Sequence, residues 1–311
     1  MRSITNAIVT GPTGAIGTAL CKLLRSKGAK VYAIVHPGSV RMSHLMFIEG
    51  VQIVTCDLRK LSFLPDLLSC TYADAFFHLA WANTIGRGRN DMDSQVDNIR
   101  FTIDSCRVAK RLDCQVFVGA GSQAEYGRSD QALTSQTPCF PENGYGMAKL
   151  CAGQMSRAEC RKLGIDHIWP RILSVYGPYD GPNAMIPWVI KKLLLGERPS
   201  LTSGNQIWDY LYATDAAEAL YRMAVRGKDG SVYPLGSGDA RPLREYIEVL
   251  RDTIDPALQL GFGEIPYDVG QVRHLEADIS ELEEDTGFRP RVSFNVGIRK
   301  TIQYMMEHLH E

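Results

Sequence analysis

The absences in this sequence narrow its class before any motif does. No apolar run reaches the length of a membrane span, and Met1-Arg2-Ser3 leads straight into the first strand pattern with no signal peptide. The 34 basic and 35 acidic side chains give a formal net charge of −1, too balanced for a nucleic-acid binder. Eight cysteines form no CxxC pair and do not cluster with histidine, so neither a metal site nor a disulfide framework is expected. Several, such as Cys114 and Cys151, fall in strand or helix patterns and read as reduced, buried thiols of a cytoplasmic protein. Repeats and low-complexity stretches are missing as well.

The N-terminus carries Thr10-Gly11-Pro12-Thr13-Gly14-Ala15-Ile16-Gly17, directly after the apolar run Ala7-Ile8-Val9. A strand, a tight glycine turn and a helix in that order are what a dinucleotide fingerprint requires. Ile16, Leu20 and Leu23-Leu24 share one face of a helix to Ser26, which Gly28 ends. Its first N–H groups favour an anionic pyrophosphate. The spacing is GxxGxxG rather than the commoner GxGxxG, and such glycines can also be purely structural. The next strand, Val31 to Val35, runs into His36-Pro37-Gly38-Ser39-Val40-Arg41. A carboxylate there would grip the ribose 2′-OH of NAD. Without one, His36, Ser39 and Arg41 either meet the 2′-phosphate of NADP, the preferred cofactor, or line a solvated loop beside NAD.

A second pattern lies about 130 residues on. Tyr145 and Lys149 are four apart, on one face of a helix. A phenol with a pKa near 10 is a poor acid–base group at neutral pH, and a nearby ammonium stabilises its anion. Ser122, just beyond the strand pattern Val116-Phe117-Val118-Gly119-Ala120, is placed to hold a substrate oxygen. These three residues can move a proton to or from an alcohol while a hydride moves at its carbon.

Further segments now join these. They are Cys56-Asp57-Leu58, Phe77-His78-Leu79-Ala80-Trp81, Asn98, Pro170-Arg171-Ile172-Leu173-Ser174-Val175-Tyr176-Gly177-Pro178, Trp208-Asp209-Tyr210-Leu211-Tyr212-Ala213-Thr214-Asp215, Val232 to Gly238, and Asp285 to Pro290. Along nearly its whole length the chain resembles an extended short-chain dehydrogenase/reductase of the NAD-dependent epimerase/dehydratase family, whose members modify nucleotide-linked sugars. The resemblance implies catalysis by Ser122, Tyr145 and Lys149. It implies cofactor contacts from Gly11, Thr13, Gly14, Ala15, Ile16 and Gly17, from Asp57 and Leu58 at the adenine, and from Leu79, Ala80, Trp81 and Asn98. Ala120, Tyr145, Lys149 and Ile172 would complete that set.

Departures from the family pattern bear on the substrate. Gln123-Ala124 stands where sugar 4,6-dehydratases carry Asp-Glu, so water elimination is not expected. Trp208 replaces an Arg that often meets the sugar diphosphate, and Ser174 replaces a substrate-facing Asn. Ser122, Gln123, Tyr145 and Ser174 are then the sugar contacts, with Arg87, Arg89 or Arg273 for the diphosphate. The expectation is NADPH-dependent reduction of a 4-keto-6-deoxy sugar nucleotide. A 4-epimerase with tightly held NAD is the alternative, and a non-catalytic dinucleotide sensor the third.

For architecture, alternating strands and helices to about residue 175 indicate an α/β fold, a doubly wound parallel sheet (Rossmann) with a smaller substrate-binding lobe. Residues 1–178 form the core, rejoined by about 211–240. Segments 179–210 and 241–292 form the lobe. Residues 293–311 contribute a last helix, expected to pack on the core. A helix from Gln95 to Arg111, with Ile99, Ile103 and Cys106, and the Tyr145 helix pair across a homodimer in many relatives of the family it resembles. An intramolecular core is the equal reading of that face.

Overall fold

The computed structural model describes residues 1–309. Short runs rich in Val, Ile and Phe make the strands β1 (Asn6–Thr10), β2 (Lys30–Val35), β3 (Val51–Thr55), β4 (Ala75–His78), β5 (Val116–Gly119), β6 (Gly121–Ser122) and β7 (Asp166–Ile172). With the strand Val232–Leu235 they form one sheet, in the order Val232–Leu235, β7, β5, β4, β1, β2, β3, with β6 paired to β7. Every pair in it is parallel. Such a sheet must be covered on both faces, and the side chains divide accordingly. Ala7, Val9, Val31, Ala33, Phe77 and Val118 enter one apolar cluster. Ile8, Tyr32, Ile34, Phe76 and Phe117 enter another. Each fully buried Ile or Phe here contributes about 1.5–3 kcal/mol relative to exposure.

Strand order reverses between β1 and β4, a switch point whose crevice lies beyond the strand C-termini. The helices Ala15–Ser26 and Ala213–Arg226 cover one face, and Met92–Arg111 and Gly144–Leu163 the other.

The lobe has its own apolar cluster, in which Ile186, Val189, Ile190 and Leu193 meet Tyr246, Ile247 and Leu250. Its main sheet places Ile207–Trp208 between Arg241–Pro242 and His274–Leu275. The last helix, Phe294–Glu307, puts Phe294, Ile298 and Ile302 into the lobe cluster, which also holds Tyr176 and Tyr212 from segments expected in the core. One segment packs differently from expectation. The helix Ser280–Thr286, assigned to the lobe by sequence position, sends Leu282 to the core cluster, joined by Phe288. Amphipathic spacing defines a buried face but does not say which cluster receives it.

Candidate active site

The glycine loop is shaped by close approach at two glycines and by open space at a third. A Cβ on Gly11, whose φ is +67°, would lie 2.7 Å from Ala80 N, and one on Gly17 would lie 2.2 Å from Gly11 O. Gly14 has nothing within 4 Å of its Cβ position and lines a cavity of about 290 Å³. It is also the N-cap of the helix Ala15–Ser26, which has neither a side-chain cap nor an acidic residue in its first turn. The first N–H groups of that helix thus face a space suited to an anion, and the cradle fits a dinucleotide pyrophosphate.

A second cleft of about 690 Å³ adjoins the first and shares Gly11 and Trp81 with it. Gly11, Thr13, His36, Ser39, Asp57, Leu58, Ala80, Trp81 and Asn98 line it. Asn98 accepts from Ala82 N (3.0 Å) and donates to Ala82 O (3.0 Å), fixing the segment after β4. Arg41 is not among the lining residues: it is exposed, and its charge acts on Asp180. Arg59, not singled out from the sequence, lines the cleft instead. Its guanidinium bonds Asp57 through Nε (3.1 Å) and Nη2 (2.5 Å) and holds that carboxyl down at about 2.

Ser122, from β6, and Tyr145 and Lys149, both from the helix Gly144–Leu163, line the same 290 Å³ cavity as Gly14, Ala15, Ile16 and Gly17, together with Leu79, Ala120 and Ile172. Ser122 ends β6 and caps the following turn, accepting from Ala124 N (3.2 Å). Glu125 returns the bond by accepting from Ser122 N (2.8 Å). Glu125 is fully buried and also accepts from Trp169 Nε1 (3.0 Å) and Arg171 Nε (2.8 Å). This anchor was missed in the sequence, although Ser-x-x-Glu is a capping-box signature. Tyr145 opens the helix Gly144–Leu163, whose N-cap Asn143 accepts from Gly146 N (2.9 Å).

The electrostatics differ from the simplest reading of a Tyr-Lys pair. Lys149 is buried, donates from Nζ to Ala120 O (2.5 Å) and lies 3.7 Å from the Trp81 ring centre, against 5.8 Å from that of Tyr145. Burial lowers Lys149 to about 7, opposed by Glu125. Burial raises the Tyr145 phenol, while a hydrogen bond with Ser122 and the charge of Arg89 pull it back. His78 at the end of β4 is held neutral, pushed down to about 3 by burial and by Lys149. Its ring meets Thr10, Thr102 and Ser105 hydroxyls at 3.0–3.2 Å.

The residues expected to meet a sugar are more scattered. Gln123 follows Ser122 and is half-buried, and Ala124 beside it is buried. Ser174 Oγ accepts from Trp208 Nε1 (2.8 Å), so two of the departures from the family pattern form one pair. Arg87 is exposed, Arg89 lies over the Tyr145 ring at 4.6 Å, and Arg273 stacks on Tyr267 at 3.3 Å.

A doubly wound sheet, a glycine cradle at its switch point and a Ser-Tyr-Lys set on the same cavity define a dinucleotide-dependent fold of the short-chain dehydrogenase/reductase type. The chain belongs to the NAD dependent epimerase/dehydratase family, whose model matches residues 7–236. It is 30% identical to an Escherichia coli dTDP-glucose 4,6-dehydratase over 57% of this chain and 51% of that protein, so the match spans about half the relative's length. A Xanthomonas campestris pv. campestris dTDP-glucose 4,6-dehydratase is 27% identical over 96% of this chain and 92% of its own. Among solved structures, a Bacillus cereus UDP-glucuronic acid 4-epimerase, in complex with UDP-glucuronic acid and NAD, superposes with a TM-score of 0.85. It has 22% identity and covers 97% of this chain and 99% of its own.

Proposed function

We propose that this protein is an oxidoreductase acting on a nucleotide-linked sugar, and that it reduces the keto group of a 4-keto-6-deoxy sugar with NADPH. The observation that carries this reading is the convergence of Ser122, Tyr145 and Lys149 on the cavity that also holds the glycine cradle. A bound nicotinamide cofactor supplies the hydride to the carbonyl carbon. Ser122 and Tyr145 hold the carbonyl oxygen, and Tyr145 gives it the phenolic proton as the alcohol forms, leaving a phenolate that solvent reprotonates. Lys149 positions the cofactor side of the cavity and adds positive charge. Gln123 and Ala124 provide no acid–base pair for water elimination, which argues against a dehydratase.

In this reading His36, Ser39 and Arg41 meet the 2′-phosphate of NADP; His36 and Ser39 line the larger cleft. Arg87 and Arg273 are the diphosphate donors in this reading, with Gln123 and Ser174 at the sugar. Among the described residues no helix is long and apolar enough to cross a membrane. All eight cysteines are free, as reduced thiols of a cytoplasmic enzyme would be in this reading. Exposed apolar residues on the helices Met92–Arg111 and Gly144–Leu163 support a homodimer.

The test is a panel of nucleotide sugars assayed for NADPH and NADH oxidation and for epimer formation. NADPH consumption on a 4-keto sugar, cut by about two to four orders of magnitude in Tyr145→Phe with cofactor binding intact, is the expected result. Epimerisation without net cofactor consumption, by protein that retains NAD through purification, would install the 4-epimerase in its place. Full turnover in Tyr145→Phe would remove Tyr145 as the proton donor.

A further inference from the structure

We propose that Arg89 is a positioning residue for Tyr145: its guanidinium, stacked on the phenol ring, supplies the standing positive charge that favours the phenolate. The proposal rests on the proton-transfer role given above to Tyr145.

The site is built around this contact. The Arg89 guanidinium carbon is 4.6 Å from the Tyr145 ring centre, closer than the Lys149 ammonium at 5.8 Å. The turn Gly86–Asn90 that carries Arg89 is pinned from both sides. Asn90 Oδ1 accepts from Gly144 N (2.9 Å), at the first residue of the Tyr145 helix. Gln95 Nε2 donates to Gly88 O (3.0 Å) and to Asn83 O (3.1 Å). A Cβ on Gly144 would lie 3.0 Å from Arg89 O, so the two backbones approach closely here. Tyr145 is boxed further by Trp81, edge-on at 6.1 Å. Among the described residues Arg89 forms no ion pair with a carboxylate. Its charge is therefore not spent on a partner of its own.

The groups facing Tyr145 act in two directions. Burial and the carboxylate of Glu125 disfavour the phenolate, and the Ser122 hydroxyl and Arg89 favour it. Lys149 is a weaker source of charge here. It is turned towards Ala120 O and the Trp81 face, and burial leaves it near half-protonated at neutral pH, at about 7. A guanidinium stays charged throughout. Arg89 would thus provide a pH-independent charge, and Lys149 one that fades as pH rises.

The experiment reads Tyr145 directly in ligand-free protein. The phenolate absorbance of the unmodified protein minus that of Tyr145→Phe isolates this one titration. In Arg89→Gln the midpoint should rise by about one pH unit, and Arg89→Lys should recover part of the shift. In turnover, the alcohol-oxidation direction needs the phenolate, so its rising limb should move up by a similar amount while KM for the nucleotide sugar changes less than about threefold. An unmoved Tyr145 titration in Arg89→Gln overturns the proposal. So does a tenfold or larger rise in KM with an unchanged pH profile, which would make Arg89 a diphosphate ligand. Failure of every nucleotide sugar as substrate would overturn the proposed function alone, because the ligand-free titration still reports on Arg89.

Discussion

Lys149 shows how a single buried charge links chemistry to stability. Its ammonium is enclosed by the Trp81 ring and the Ala120 carbonyl, and its folded-state pKa of about 7 lies well below the ordinary 10.5. Between those two values the unfolded chain binds more protons than the folded one, so stability attributable to this residue rises with pH across that window. Below about pH 7 both states carry the proton and the cost of burying it is complete. Lys149→Met should therefore unfold at a higher denaturant midpoint than the unmodified protein at pH 6–7, with the gap closing towards pH 10. Equal midpoints across the whole range would mean that water or a counter-charge already relieves the ammonium. At this scale the sequence singled out Ser122, Tyr145 and Lys149, which the structure brings to one cavity, because fixed spacing and a strand end are readable features. It did not single out Arg59, which lines the cleft, whereas Arg41 lies outside that lining. Residues after β2 follow no period, so nothing in their order tells which side chain turns into the cleft. Glu125 was concealed for another reason. Its capping-box signal was present, but a charge with no exposure is unexpected unless its partner, Arg171, is found 46 residues on.

The glycine loop separates two roles that the motif alone merges. Strand, loop and helix were legible because an apolar run, three glycines at fixed spacing and a helical stripe succeed one another without a gap. Which glycine serves packing and which serves the ligand depends on what surrounds each Cβ. Gly17 abuts the loop backbone, where an added methyl would meet Gly11 O at 2.2 Å and Pro12 Cα at 2.7 Å. Backbone cannot step aside as a flexible side chain can, so Gly17→Ala should lower stability by about 1–3 kcal/mol and weaken dinucleotide binding. Gly14 has a φ of −84°, which alanine adopts freely, and open space in front of it. Gly14→Ala should leave the thermal midpoint within about 2 °C yet reduce cofactor affinity about tenfold or more, since the methyl enters the cradle. Calorimetry and cofactor titration on the two variants check this. Equal loss of stability in both would show that the loop is packed throughout rather than open at Gly14. The placement of Ser280–Thr286 is the converse case. Its segment was assigned by sequence position, and its partners are set by long-range contacts.

On the scale of the whole molecule, the helix Gly144–Leu163 has a second face that the fold leaves open. Met147 and Met155 are 51% and 46% exposed, with the exposed Cys151 between them on the same stripe of Gly144–Leu163. Met92 and Val96 are 55% and 56% exposed on the adjoining helix Met92–Arg111. Cys151 corrects the expectation of a buried thiol, and Cys106 is buried in the core, the second of the two readings of its face. Exposed apolar residues scattered singly need no explanation, but a row of them along one helix face, with more on the helix packed beside it, does. Two copies related by a twofold axis would bury the stripe of each against the other, the isologous arrangement typical of homodimers. The purified protein should sediment as a dimer at micromolar concentration. Introducing a carboxylate at the centre, Val96→Glu with Met155→Glu, should raise the dissociation constant at least about a hundredfold, because each buried unpaired charge costs about 3 kcal/mol or more. Because Tyr145 begins the helix that carries this face, the separated subunits should also lose turnover unless the turn Gly86–Asn90 holds Tyr145 in place by itself. A protein that sediments as a monomer, with full turnover, would show that the stripe serves no association and that the catalytic helix is held within one chain.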